Sequence, residues 1–399
     1  MRAACTVLGL ARGGDLWTAI VPVSASRAVD HDTRWVAQRS ARVMVVPLGE
    51  PAAAARGWLR SATARTLVAA AQPLPRRARL VSPACGETIV GLTAGVRFHA
   101  VWLLRSYLAG AAIPFLDLRP RPRAIVDVDE DDAAVLAAIA DLHHRRGEPD
   151  LAAAAYEEAA AYGRLGSACL RWFDGVVAAS APEARALEQR YALERVEVLR
   201  NALPPRSMTG QAAADPASPP ASGRVVKIVF VGNLEYVPNR DAVERLVMRI
   251  FPLIRAVLPG AELHIAGAGD SRWSATIAGN DGVHVHGFLD DLATLYAGAT
   301  LAVVPLRAGG GSRLKILEAF ANAVPVVATS AAVAGLEVRG DAELLMASSD
   351  EELAAAAIRI ATDSSLAARL AHSASTFVAG HHDVDATAAR VANIAGLDG

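Results

Sequence analysis

Cysteine is scarce in this chain: Cys5, Cys85 and Cys169 are its three, and they stand far apart. An odd, scattered set argues against a disulfide framework, and no pair has the spacing of zinc ligands. A reducing, cytoplasmic setting is therefore expected. Net charge is almost absent as well, −1 from 40 Lys+Arg against 41 Asp+Glu. That removes bulk attraction to nucleic acid or to an anionic membrane as a reason for function. No uncharged apolar run reaches the ~18 residues of a membrane span, which leaves at most peripheral membrane contact open. The opening stretch MRAACTVLGLARGGD is interrupted by Arg12 and Asp15 too early for a secretory signal. The chain also lacks G-x-x-x-x-G-K-[ST], H-E-x-x-H and G-x-S-x-G, so the P-loop, zincin and nucleophile-elbow chemistries have no carrier here. A lone G-x-G in HIAGAGD is too little to indicate a dinucleotide.

What remains is a well-packed globular composition, 53% hydrophobic and 20% charged over 399 residues. That length exceeds one ordinary core and predicts two domains of ~200 residues. The stretch Pro204–Gly223, PPRSMTGQAAADPASPPASG, has no periodicity and reads as a linker. It separates an N-terminal domain, 1–203, from a C-terminal domain, 224–399, that ends in helices. In the second half apolar runs alternate with amphipathic ones. VVKIVFVGN, AELHIAGAG, GVHVHGF, TLAVVPL and VPVVATS read as strands, with helices between them. Continuous apolar strands between helices mean a parallel sheet covered on both faces, a Rossmann-like α/β domain. Such sheets bind ligands at the carboxyl ends of their strands, so the loops from Gly232, Gly267, Gly287 and Arg307 are the expected site wall. In the first half ARVMVVPL, RARLVSPA, FHAVWLL, RAIVDVDE, DGVVAAS and VEVLRNA read as strands, between Ala-rich helices such as AAAAYEEAAAYGRLGSACLRWF. This predicts a second domain of the same kind.

One stretch carries chemistry. GGGSRLKILEAFANAVPVVAT, Gly309–Thr329, runs from the end of a strand into an amphipathic helix. Glycines there let backbone approach a ligand closely, Ser312 suits an N-cap, and the helix start offers unpaired amides to an anion. Lys315 and Glu318 are three apart and share a helix face. A ligand with a diphosphate and a ribose would satisfy both, the lysine meeting phosphate and the carboxylate meeting hydroxyls. A glycine-rich turn with a surface ion pair would explain the same letters.

With the flanking segments added, the pattern resembles the group 1 (family 4) glycosyltransferases of the GT-B fold. FVGNLEYVPNRDAVERLVMRIFPLIRAVLPGAELHIAGAG, VHGFLDDLATLYAGATLAVVPLRAGGGSRLKILEAFA and PVVAT resemble that family's donor domain, and WFDGVVAASAPEARALEQRYALERVEVLRNALP resembles the end of its first domain. The likeness covers Asp174–Asn201 and Ile228–Thr329 and is weak before Asp127. It implies two Rossmann-like domains facing across a cleft, and transfer of a sugar from a nucleotide-sugar donor with retention and without a bound metal or other cofactor. The acceptor would be a glycan, a lipid-linked or a small-molecule hydroxyl. Glu318 would bind the donor ribose, Lys315 and Arg313 the diphosphate, and backbone around Gly287 and Phe288 the base. Gly232 would let the first loop approach, and the amides of Gly310 and Gly311 would touch the sugar. A nucleotide-sugar epimerase of the same fold and a non-catalytic nucleotide-sugar binder are the alternatives.

The chain departs from the family pattern in two places. Many members carry a glutamate at each end of the glycine-helix motif, and the first position here is Gly310. Many place an Arg and a Lys in the first donor loop, where this chain has Asn233 and Asn239. Phosphate neutralisation then rests on the helix end, Lys315 and Arg313. In the first domain, Asp127 opens the run DVDEDDA. A D-x-D could hold Mg²⁺ or Mn²⁺, but acids are favoured at a helix start in any case. Asp127 is kept as a catalytic or acceptor-side candidate. His99 reads as a packed strand residue and Arg105 as an acceptor or phosphate contact. Gly13 and Gly14 loosely resemble the family's acceptor loop. His284 and His286 share a strand face but have no third ligand near them in sequence, so zinc is not indicated.

Overall fold

The structure is a computed structural model and describes residues 2–12, 14–20, 36–46, 58, 61–203, 225–310 and 313–397. The predicted linker, Gly13, Gly311 and Ser312 lie outside the described residues. Two compact units are present: residues 1–202 with 384–399, and residues 203–383. The last segment therefore belongs to the first unit, whereas the sequence assigns it to the second domain. The reason is packing: the helix Val384–Ala395 buries Val391 and Ile394 with Ile125, Val177 and Leu199 of the first unit. It also lies along the helix Arg2–Arg12, and Arg12 donates to the carbonyl of Asp385 at 3.2 Å.

In the first unit β1 (Trp17–Ile20) and β2 (Arg42–Val45) form a parallel pair. A four-stranded parallel sheet has the order β3 (Ala100–Leu104), β4 (Arg123–Asp129), β5 (Gly175–Ala178), β6 (Glu197–Val198). Three sequence expectations fail here. RARLVSPA is not a strand: Arg76–Leu80 is one short helix and Pro83 opens another, Pro83–Leu92. Proline at N1 is preorganised for a helix start and cannot serve a central strand. The segment ahead of Gly13 and Gly14 is a helix, not the strand that a strand-to-helix acceptor loop needs. His99 is exposed and precedes β3 instead of packing within it.

The second unit is a six-stranded parallel sheet, ordered β12 (Leu345–Met346), β11 (Val326–Ala328), β10 (Leu301–Val304), β7 (Lys227–Val231), β8 (Glu262–Ala266), β9 (Val283–Val285). Counted within this unit the order is 3-2-1-4-5-6, that of a doubly wound nucleotide-binding domain. Every residue of β10 and β11 is buried, as helices on both faces require. The helix Val237–Arg245 continues through a π-helical turn, Leu246–Ile250, into Phe251–Val257. Pro252 accounts for the widened turn, since it offers no N–H to the preceding turn and its ring would crowd the carbonyl there. No described helix is long and apolar enough to cross a membrane.

Candidate functional site

In a 3-2-1-4-5-6 sheet the direction of winding reverses between the first and fourth strands, and the loops leaving those strands splay apart into a crevice. Here those strands are β7 and β10, which are paired. The loop after β7 begins Gly232-Asn233, and the loop after β10 contains Arg307, Gly309 and Gly310. Three of the sequence candidates, Gly232, Asn233 and Gly310, thus meet at the topological switch point. The two loops are close: a Cβ on Gly309 would lie 3.5 Å from the Pro238 side chain and 3.6 Å from the Tyr236 hydroxyl.

The helix after the glycine loop spans Leu314–Ala321. Its N-cap is Arg313, not Ser312, and Arg313 adopts a left-handed conformation at φ 50°. A non-glycine residue is held there only by strong local contacts. The guanidinium provides them: Nη2 donates to the Gly309 carbonyl, Nη1 to that of Gly310 and Nε to that of Ala334, each at 3.0 Å. Arg313 is itself buried and moulds the loop. Arg307 makes a second brace, forking onto both oxygens of the buried Asp241. Neither role was visible in sequence: Asp241 is remote along the chain from Arg307, and Arg313 bonds backbone carbonyls, which leave no side-chain pattern.

Lys315 does not pair with Glu318. Its ammonium donates to Oδ1 of Asn239 and stands 5.2 Å from the centroid of the Phe230 ring. Asn239 in turn donates from Nδ2 to the Asn233 carbonyl at 2.8 Å, while the Asn233 side chain accepts from the amide of Glu235. Burial holds Lys315 down at about 7, with Arg313 acting in the same direction. Burial pushes Glu318, one turn on, up to about 7 against the attraction of Lys315. Burial is the leading cause of both shifts, and it favours the neutral form of each group.

The remaining wall comes from β8 and β9. Gly267, at φ 149°, follows β8, and a Cβ there would fall 1.8 Å from the Gly232 carbonyl oxygen. Its amide donates to the Gly287 carbonyl at 2.8 Å, so the three loops are tied in a row. Gly287 is left-handed at φ 69° with open space beside it, and the next residue, Phe288, is 70% exposed.

In the first unit Asp127 is 1% exposed, and its Oδ1 accepts the amide of Asp129 at 3.0 Å. The carboxyl ends of β3 and β4 instead present Arg105 and Asp129, both at positive φ. Arg105 pairs with Asp129 at 3.2 Å and with Glu130 at 3.1 Å. Burial raises Asp132 to about 7 despite the pull of Arg105. The polar groups at this sheet edge are thus the neighbours of the predicted residue.

Residues 225–363 match the family described as glycosyl transferases group 1. The chain carries a group 1 glycosyltransferase domain. Solved structures agree with the fold. A UDP-forming trehalose-phosphate synthase from Burkholderia xenovorans superposes with a TM-score of 0.62 at 11% identity, over 96% of this chain and 99% of that one. Sucrose-phosphate synthase from Thermosynechococcus elongatus gives 0.60 at 17% identity, over 81% and 80%. Anabaena HepE in complex with UDP and glucose gives 0.57 at 15%, over 95% and 98%. The fold of the chain is GT-B. No protein of curated function matches its sequence.

Proposed function

We propose that this glycosyltransferase takes a sugar from a nucleoside diphosphate-sugar held on residues 225–363 and transfers it, with retention, to a hydroxyl acceptor bound by the first unit. The observation that carries the reading is Lys315: a cation in a buried setting, held at the start of a helix, beside a glycine loop, at the sheet's switch point. The leaving diphosphate gains charge as the glycosidic bond breaks. The helix start, the loop amide of Gly310 and the Lys315 ammonium supply compensating charge without a metal ion. Displacement of the Asn239 contact by phosphate would free the lysine for this role. Glu318 accepts hydrogen bonds from the ribose hydroxyls, and Phe288 offers a ring face to the base. Two of the fold relatives are described with UDP or as UDP-forming, so uridine diphosphate sugars are the first donors to test. Arg313 serves by fixing the loop's shape.

The test is a thermal-shift and calorimetric screen of nucleotide-sugars, followed by NMR of the anomeric product once a donor and acceptor are paired. Lys315→Ala and Glu318→Ala are each expected to weaken donor binding at least ~10-fold, from loss of a charge-assisted hydrogen bond. Donor binding unchanged in both folded variants would remove the site assignment. Saturable donor binding without transfer or donor hydrolysis would leave a binding protein, and an epimerised donor would replace transfer by epimerisation.

A further inference from the structure

The two strands at the edge of the donor sheet break the pattern of their neighbours. In β8 and β9 the residues Leu263, Ile265, Val283 and Val285 pack on the core side. The alternate positions are Glu262 and His264 on β8, and His284 on β9 with His286 just after it. The register sets His264 against His284, and the ladder continues through the His286 amide to the Ile265 carbonyl at 2.9 Å. Parallel pairing in this register places all four polar side chains on one face. In sequence the two pairs are well separated, so the third ligand that His284 and His286 lack is supplied by the neighbouring strand.

The four form a connected cluster. Glu262 Oε2 is 3.2 Å from His264 Nε2 and 3.9 Å from His284 Nε2. One donor atom from each of these three lies within 4.8 Å of the others. The edge of a zinc tetrahedron with ligands at the usual bond lengths is about 3.3 Å, so two of the separations are close to it and small side-chain rotations close the rest. His286 Nε2 is 3.0 Å from Nδ1 of His264. With His264 Nε2 directed at a metal, its Nδ1–H donates to His286, the outer-shell contact that orients a ligating imidazole. Lys227, opposite Glu262, turns its ammonium to the Ala297 carbonyl at 3.2 Å.

We infer that Glu262, His264 and His284 bind a divalent transition metal ion of the zinc class, with His286 as the residue that positions His264. Two imidazoles and one carboxylate suit a borderline ion and not Mg²⁺ or Ca²⁺, which take oxygen sets. His284 is half-exposed, so a fourth position open to water is available. The ion would clamp the edge strand at His284, three residues before Gly287, and its role is to fix that loop. The site stands apart from the sugar-transfer reading and does not depend on it.

The test uses the full chain without a histidine tag, stripped with chelator, and titrated with ZnCl₂ by calorimetry and with CoCl₂ by visible absorption. One equivalent of Zn²⁺ and the strong visible bands of tetrahedral cobalt are expected, with a rise in melting temperature on metal addition. His286→Ala weakens binding ~10- to 100-fold, the range for a lost outer-shell partner, and His284→Ala weakens it further. Far-UV circular dichroism confirms that each variant is folded. No binding by the wild-type chain, or binding unchanged in His264→Ala and His284→Ala, overturns the assignment. Metal stoichiometry is read without any transferase assay, so failure here leaves the proposed function standing.

Discussion

The Lys315 ammonium is bonded to the side-chain carbonyl of Asn239. Asn239, a neutral amide in the loop after β7, is what holds this cation. The arrangement places the lysine in advance and leaves its charge incompletely balanced.

That balance can be read by pH. Burial lowers Lys315 to about 7, so the free protein loses this charge as pH rises through that value. A diphosphate favours the charged form. Its binding at pH 8 is expected to take up a proton, and affinity should fall on the alkaline side by at most about tenfold per pH unit. Glu318, raised to about 7, is protonated below that value and then accepts fewer hydrogen bonds from ribose, so affinity also falls on the acid side. Calorimetry of nucleoside diphosphate binding in buffers of different ionisation enthalpy measures the proton count. Lys315→Met should abolish the uptake and flatten the alkaline limb. An unaltered proton count in that variant would assign the titration elsewhere.

Arg313 gives a different signature. It bonds three carbonyls and sits at positive φ, so Arg313→Ala is expected to cost about 2–4 kcal/mol in stability through the lost charge-assisted bonds to buried acceptors. Arg313→Lys should rescue little, because one ammonium cannot match a fork spread over Gly309, Gly310 and Ala334. Urea unfolding without any donor present is the measurement. A variant of wild-type stability that binds donor poorly would mean that Arg313 acts on phosphate directly.

The glycines differ among themselves. In Gly267→Ala the new methyl would meet the Gly232 carbonyl at 1.8 Å in a conformation alanine avoids, so soluble expression or most of the thermal stability should be lost. In Gly287→Ala nothing stands in the way, and the expected cost is the left-handed strain alone, about 1–2 kcal/mol. Melting temperatures of the two variants decide this, and equal losses would show that the contact between the first two loops is not rigid.

The donor half was legible in sequence because its signals are local. Apolar runs such as LAVVPL and VPVVATS can only be buried parallel strands, and the glycine loop, Lys315 and Glu318 lie in one continuous segment. Signals that depend on pairing across the sheet were not legible. His264 and Glu262 join His284 and His286 only through strand register, and Arg313 and Arg307 find their partners only after the loops fold. In the first half the Arg76–Leu92 region has strand-like hydrophobicity but carries prolines at helix starts. The last helix follows the second domain in sequence and packs on the first in space, where Ile125 and Val177 leave a groove for Val391 and Ile394. No feature of its own residues announces that destination.

The amide of Leu203 donates to the carbonyl of His382 at 3.2 Å. These residues are the first and nearly the last of the second unit, so the polypeptide enters and leaves it at one point. In the language of chain topology, the second unit is an insert with closed ends, set in sequence between the body of the first unit and that unit's own final helix. Its two ends meet at one backbone hydrogen bond, so the host chain is interrupted at a single place. Truncation at the C-terminus, by contrast, removes part of the host: losing the last helix strips Ile125, Val177 and Leu199 of their cover while leaving the insert whole.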